Sequence, residues 1–142
     1  MEMTKLDAAV HQLVVAMRLF FEGDYLSSLT LAGAAEEILG KLSIRAGLPV
    51  AVDFITEYHY EDVDETIPEG QRKKVLLGIL NRVRNQAKHA NDEAETHVEF
   101  DATEALQMIM RALPMAQNLK GSMAGYKEQL DVWIEAHPEA FV

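Results

Sequence analysis

The chain has no cysteine, which excludes disulfide scaffolds, cysteine nucleophiles, thiolate zinc sites and iron–sulfur clusters. Cations are scarce: 13 Lys and Arg stand against 23 Asp and Glu, a formal charge of −10. That balance disfavours a protein that coats nucleic acid, because phosphate affinity comes mainly from cationic side chains that displace counterions. A local basic patch remains open to it. No uninterrupted apolar stretch of about 18 residues occurs, and the start, Met1 to Asp7, has no apolar signal core behind a basic leader. A soluble, cytoplasmic protein with no membrane partner is the expectation. Period-two alternation, 20- to 50-residue repeats and low-complexity tracts are also missing.

What is present is helical periodicity. With 142 residues and 49% hydrophobic content the chain suits one domain with a buried core. Leu6, Ala9, Val10, Leu13, Val14, Met17, Phe20 and Phe21 recur at spacings of three and four, with Thr4 as N-cap and Gly23 as stop. Asp24 caps a second helix whose small and apolar residues cover nearly every side, so it belongs at the centre. Gly47-Leu48-Pro49 ends it. Residues 50–70 suit a short helix and an acidic loop. From about Gln71 to roughly Ala90 the stripe Val75, Leu76, Ile79, Leu80, Val83, Ala87 predicts a third long helix. Asp101 and Glu104 form a near capping box for a fourth, which Pro114 should kink or divide. A last short helix over 126–137 packs through Tyr126, Leu130, Trp133 and Ile134. The prediction is a single all-α domain over 1–142, an up-down bundle of four or five helices with its core in about 5–125.

Charge is segregated along this chain. Residues 71–90 hold Arg72, Lys73, Lys74, Arg82, Arg84 and Lys88 and no acid. The 20 residues before them hold seven acids and no cation, and residues 91–104 hold six acids and no cation. Two readings fit: reciprocal ion pairing with the acidic flanks, or an anion site built on Arg, which grips phosphate oxygens bidentately.

Within the basic helix lies Arg84-Asn85-Gln86-Ala87-Lys88-His89. His89 can move a proton near neutral pH, Arg84 can stabilise charge on phosphoryl oxygens and Asn85 can orient a phosphate, with Lys88 and Arg82 as further substrate contacts. Arg82 and His89 form a second Arg–His pair, with six residues between them. On a continuous helix Arg84 and His89 diverge by about 140°, whereas Asn85 and His89 share a face, as do Arg84 and Lys88. Glu36 and Glu37, in the middle of the apolar second helix, call for a cation, and Arg84, Arg82 and Lys88 are the candidates. A structural ion pair between helices is the preferred reading of these two acids, and as supporting residues of the site they could also position His89 or limit nonspecific phosphate binding. His59, beside Glu61 and Asp62, lacks a second His at metal spacing, so no metal site is expected. His97 reads as a loop residue, and Met108, Met110 and Met115 read as packing residues.

The stretch from Phe20 to Leu39, followed about 45 residues later by Arg84-Asn85-x3-His89 late in another helix, resembles the HEPN superfamily across roughly residues 5–125. The resemblance implies a small α-helical bundle that works as a homodimer, two copies of this helix facing each other to complete a shared cleft. It also implies metal-independent endoribonuclease chemistry without a cofactor, in which a ribose 2′-hydroxyl attacks the adjacent phosphate and leaves a 2′,3′-cyclic phosphate. On this reading Arg84, Asn85 and His89 carry the chemistry and RNA is the substrate, in a toxin or defence setting, with a cognate antitoxin as a further partner. The alternative is a non-catalytic HEPN-like module that binds a nucleotide or a protein partner.

Overall fold

The computed structural model describes residues 1–123 and 125–141, and every regular element among them is helical. Helix α1 spans Lys5–Phe21, with the Thr4 hydroxyl accepting from the Asp7 N–H at 3.0 Å. Gly23, at φ +87°, supplies the left-handed turn that most residues resist, and the chain reverses into α2, Tyr25–Arg45. The Asp24 carboxylate accepts from the Ser27 N–H at 3.1 Å and starts that helix. The two helices are further knitted by the Ser28 hydroxyl, which donates to the Ala16 carbonyl at 2.7 Å in a fully buried position.

Helix α2 is central, as its composition predicts. It packs against α1 along one side and against α6, Ala102–Asn118, along another. Leu13, Met17 and Phe20 of α1, Leu29 and Leu39 of α2, and Leu106, Ile109 and Met115 of α6 are almost completely enclosed. Burial of side chains this size contributes roughly 1.5–3 kcal/mol each, so this three-helix contact dominates the stability of the fold. Helix α7, Tyr126–Ala136, is fixed to α1 by Trp133, whose ring meets Phe20 edge-on at 4.6 Å, and by buried Leu130.

The rest of the chain forms a second tier. Helix α3, Ala51–Tyr58, and a single 3-10 turn over Tyr60–Asp62 lead to α4, Glu69–Leu80, and α5, Arg82–Lys88. The long helix predicted from Gln71 to Ala90 is thus divided at Asn81. The division has a visible cause: Arg111 of α6 donates to the Leu80 carbonyl at 3.3 Å and to Asn81 Oδ1 at 3.0 Å, capturing backbone and side-chain acceptors at the junction. Conversely, α6 is not divided at Pro114. Ala112, Leu113, Met115 and Ala116 are buried on either side of it while Pro114 itself faces solvent, so packing holds the helix through the missing hydrogen bond. The count becomes seven α-helices among the described residues rather than four or five. Among those residues no helix is long and apolar enough to cross a membrane.

Candidate functional site

The junction between α4 and α5 rests where α2 meets α6, and charge is concentrated there. Glu36, on the buried side of α2, accepts from two guanidinium groups. Arg84 Nη1 donates to its Oε2 at 3.3 Å and Arg111 Nη2 to its Oε1 at 3.0 Å. All three side chains are at least nine-tenths buried. Arg84 reaches Glu36 by passing over Gly33, one turn earlier on α2. A Cβ at position 33 would lie 2.5 Å from Arg84 Cδ, so only glycine admits this crossing.

Sequence reasoning did not find Arg111 or Asn81 as members of this cluster. The signal for Arg111 is present all the same: it is the one cation of α6, set among Leu106, Met108, Ile109, Ala112 and Leu113. Charges of opposite sign on the buried faces of two packed helices must pair, because an isolated buried charge costs several kcal/mol.

A second pair, between the residue after Glu36 and the residue one turn beyond Arg84, lies nearer the surface. Lys88 Nζ stands 3.7 Å from Glu37 Oε2, both partly exposed. Lys73 pairs with Asp53 of α3 at 2.8 Å. The Arg72 Nε donates to the Ile67 carbonyl at 3.3 Å, and its guanidinium lies over the Tyr60 ring at 5.2 Å. Lys74 and Arg82 make no ion pair among the described residues. Three of the six cations of the basic segment are therefore neutralised by carboxylates, two of them by α2 rather than by the acidic flanks.

The structure separates the residues of the Arg84-x4-His89 motif. Arg84 faces inward. His89 is the C-cap of α5, with extended backbone at φ −129° and ψ 150°, and is exposed, as is Asn85. The helix ends before the 140° rotation can apply, and His89 projects from a chain that is leaving α5. Asn85 and His89 instead share a surface depression of about 490 Å³ with Arg82, Gln86, Asn91 and Glu95. The second Arg–His pair, Arg82 with His89, is thus the one found together at the surface. His59 binds Asp62 through Nδ1 at 2.8 Å, and His97 lies in an irregular stretch against the Thr96 hydroxyl at 2.7 Å.

Chemically, the depression combines an exposed imidazole, the guanidinium of Arg82, which has no ion pair among the described residues, three carboxamides and the Glu95 carboxylate. Such a set can bind an oxyanion and move a proton beside it. The buried Glu36, Arg84 and Arg111 do not line this depression. Comparison with family models, with characterised proteins and with solved structures finds no match for this chain.

Proposed function

We propose that this chain is a HEPN-like domain that acts as a homodimer and cleaves RNA without a metal, using the open face of α5. The observation that carries the reading is that Arg82, Asn85 and His89 line one exposed depression. In this scheme the His89 imidazole takes the proton from a ribose 2′-hydroxyl. The 2′-oxygen attacks phosphorus, the bond to the 5′-oxygen breaks, and the imidazolium returns its proton to that leaving oxygen. Arg82 stabilises the charge that develops on the non-bridging oxygens, and Asn85 orients the phosphate. The products are a 2′,3′-cyclic phosphate and a 5′-hydroxyl, and DNA, lacking the attacking group, is spared.

Arg84, the cation of the motif on which the resemblance rests, has a structural role in this scheme, holding α5 to α2 through Glu36. That commitment favours a second reading, in which the domain recognises an RNA or nucleotide phosphate, or a protein partner such as an antitoxin, and does not cleave.

Incubation of RNA oligonucleotides with the protein in EDTA separates the two. Cleavage that ends in cyclic phosphate and falls about 100-fold or more in His89→Ala supports the nuclease. Binding that depends on Arg82 without any cleavage supports the second reading. Equal cleavage by wild type and His89→Ala contradicts the first.

A further inference from the structure

Beside the buried charge cluster is a cavity of about 700 Å³ whose lining shares only Arg82 with the His89 depression. It lies between α2, α3, the α4–α5 junction and α6, and its walls are mainly apolar, including Leu29, Ile55, Leu80, Val83 and Met108. Its size is that of a small-molecule site rather than a packing defect. Ile79 and Met110, 63% and 43% exposed, stand at its rim.

The floor carries charge. Arg84 and Arg111 both line the cavity, and both are at least nine-tenths buried. They share one carboxylate, Glu36, so the cluster keeps one uncompensated positive charge inside the protein. Each of the two guanidinium groups also leaves its Nε–H without an acceptor. Buried polar groups in that condition are uncommon. Glu104, the acid that borders the cavity, is not that partner. Its carboxylate accepts from the Asp101 N–H at 2.8 Å, and it stands seven residues from Arg111, about 10 Å along the helix.

We propose that this cavity binds a small amphipathic carboxylic acid. Its apolar body rests on Leu29, Ile55 and Met108, and its carboxylate supplies the negative charge that the Glu36, Arg84 and Arg111 cluster lacks. An apolar wall with a few convergent charged groups confers this kind of selectivity: the body contributes affinity and the head sets orientation. Arg82 borders both this cavity and the His89 depression. A bound acid therefore lies next to a residue of the proposed RNA site, although the acid site does not depend on that reading.

Titration calorimetry with octanoate, 1-octanol and octylamine tests the assignment. The expected result is one octanoate per chain, bound at least tenfold more tightly than octanol, with octylamine weaker than either. Ile79→Glu places a carboxylate on the exposed rim without disturbing the core, and should weaken octanoate at least fivefold while the circular dichroism spectrum is kept. Arg111→Leu, if it folds by the same criterion, should remove the preference for octanoate over octanol. No octanoate binding, equal binding of octanoate and octanol, or octanoate binding indifferent to Ile79→Glu would each overturn the proposal.

Discussion

Glu36 accepts from two arginines that are at least nine-tenths buried, and among the described residues it is the only acid paired with either. Removing its charge leaves two buried cations opposed, so Glu36→Gln should cost about 3 kcal/mol, a large part of what a domain of this size has in hand. Urea denaturation reads this directly, and a loss under about 1 kcal/mol would show that the pair is solvated in practice. Gly33 gives a second test with an opposite intuition. Alanine favours a helix over glycine by about 1 kcal/mol, yet Gly33→Ala would set a methyl against the Arg84 stem, whose far end is held by Glu36. The clash should win, with a net loss of about 1–3 kcal/mol in the same denaturation experiment.

At the scale of elements, α6 is a helix with one good end and one built-in fault. Its start is a full capping box, in which Asp101 accepts from the Thr103 N–H and Glu104 accepts from the Asp101 N–H. Within the box, the hydrogen bond from Glu104 is the main cause that holds the Asp101 carboxyl below its ordinary range. Burial, followed by that same hydrogen bond, pushes Glu104 above its own. The fold therefore favours neutral Glu104. Its stabilisation is complete below the unfolded-chain pKa of about 4.3 and is lost as pH rises through the raised folded value. Glu104→Gln keeps the acceptor without the charge. It should raise the melting temperature at pH 7, and the gain should vanish below about pH 4. An equal gain at both pH values would mean that charge is not the cause. The fault is Pro114, and Pro114→Ala should stabilise by about 1–3 kcal/mol by restoring a backbone donor, measured by thermal denaturation.

The same elements show what was legible in the residues. Caps at Thr4, Asp24 and Asp101, the stop at Gly23 and the central position of α2 were readable because each depends on local chemistry or on a stripe of side chains. The break at Asn81 was not, because its cause, Arg111, lies 30 residues further along and acts only after α6 has packed. That Glu36 needs a cation from Arg84, Arg82 or Lys88 was readable too, and the structure pairs it with Arg84. Which of the three turns inward was not, because that is decided by Gly33 and Glu36 on another element.

For the whole molecule, the −10 charge is organised rather than diffuse. The basic segment has half of its cations neutralised by α2 and α3, which leaves Arg72, Lys74 and Arg82 with no ion pair among the described residues, and of these Arg72 is engaged by the Ile67 carbonyl and the Tyr60 ring. On the proposed reading, RNA approaching this acidic chain would meet a local site beside His89 rather than a broad basic groove. In the proposed dimer, two such depressions lie near one another, and light scattering should give twice the monomer mass. The central claim is the division of labour between two arginines two residues apart. It is tested most directly by the rate of RNA cleavage per folded molecule in EDTA for Arg82→Ala and Arg84→Met. Arg82→Ala should lose at least tenfold in rate with its melting temperature unchanged, whereas Arg84→Met should melt lower but cleave at the wild-type rate for the fraction that is folded. Loss of cleavage per folded molecule in Arg84→Met with full activity in Arg82→Ala, or no cleavage by the wild type, would contradict it.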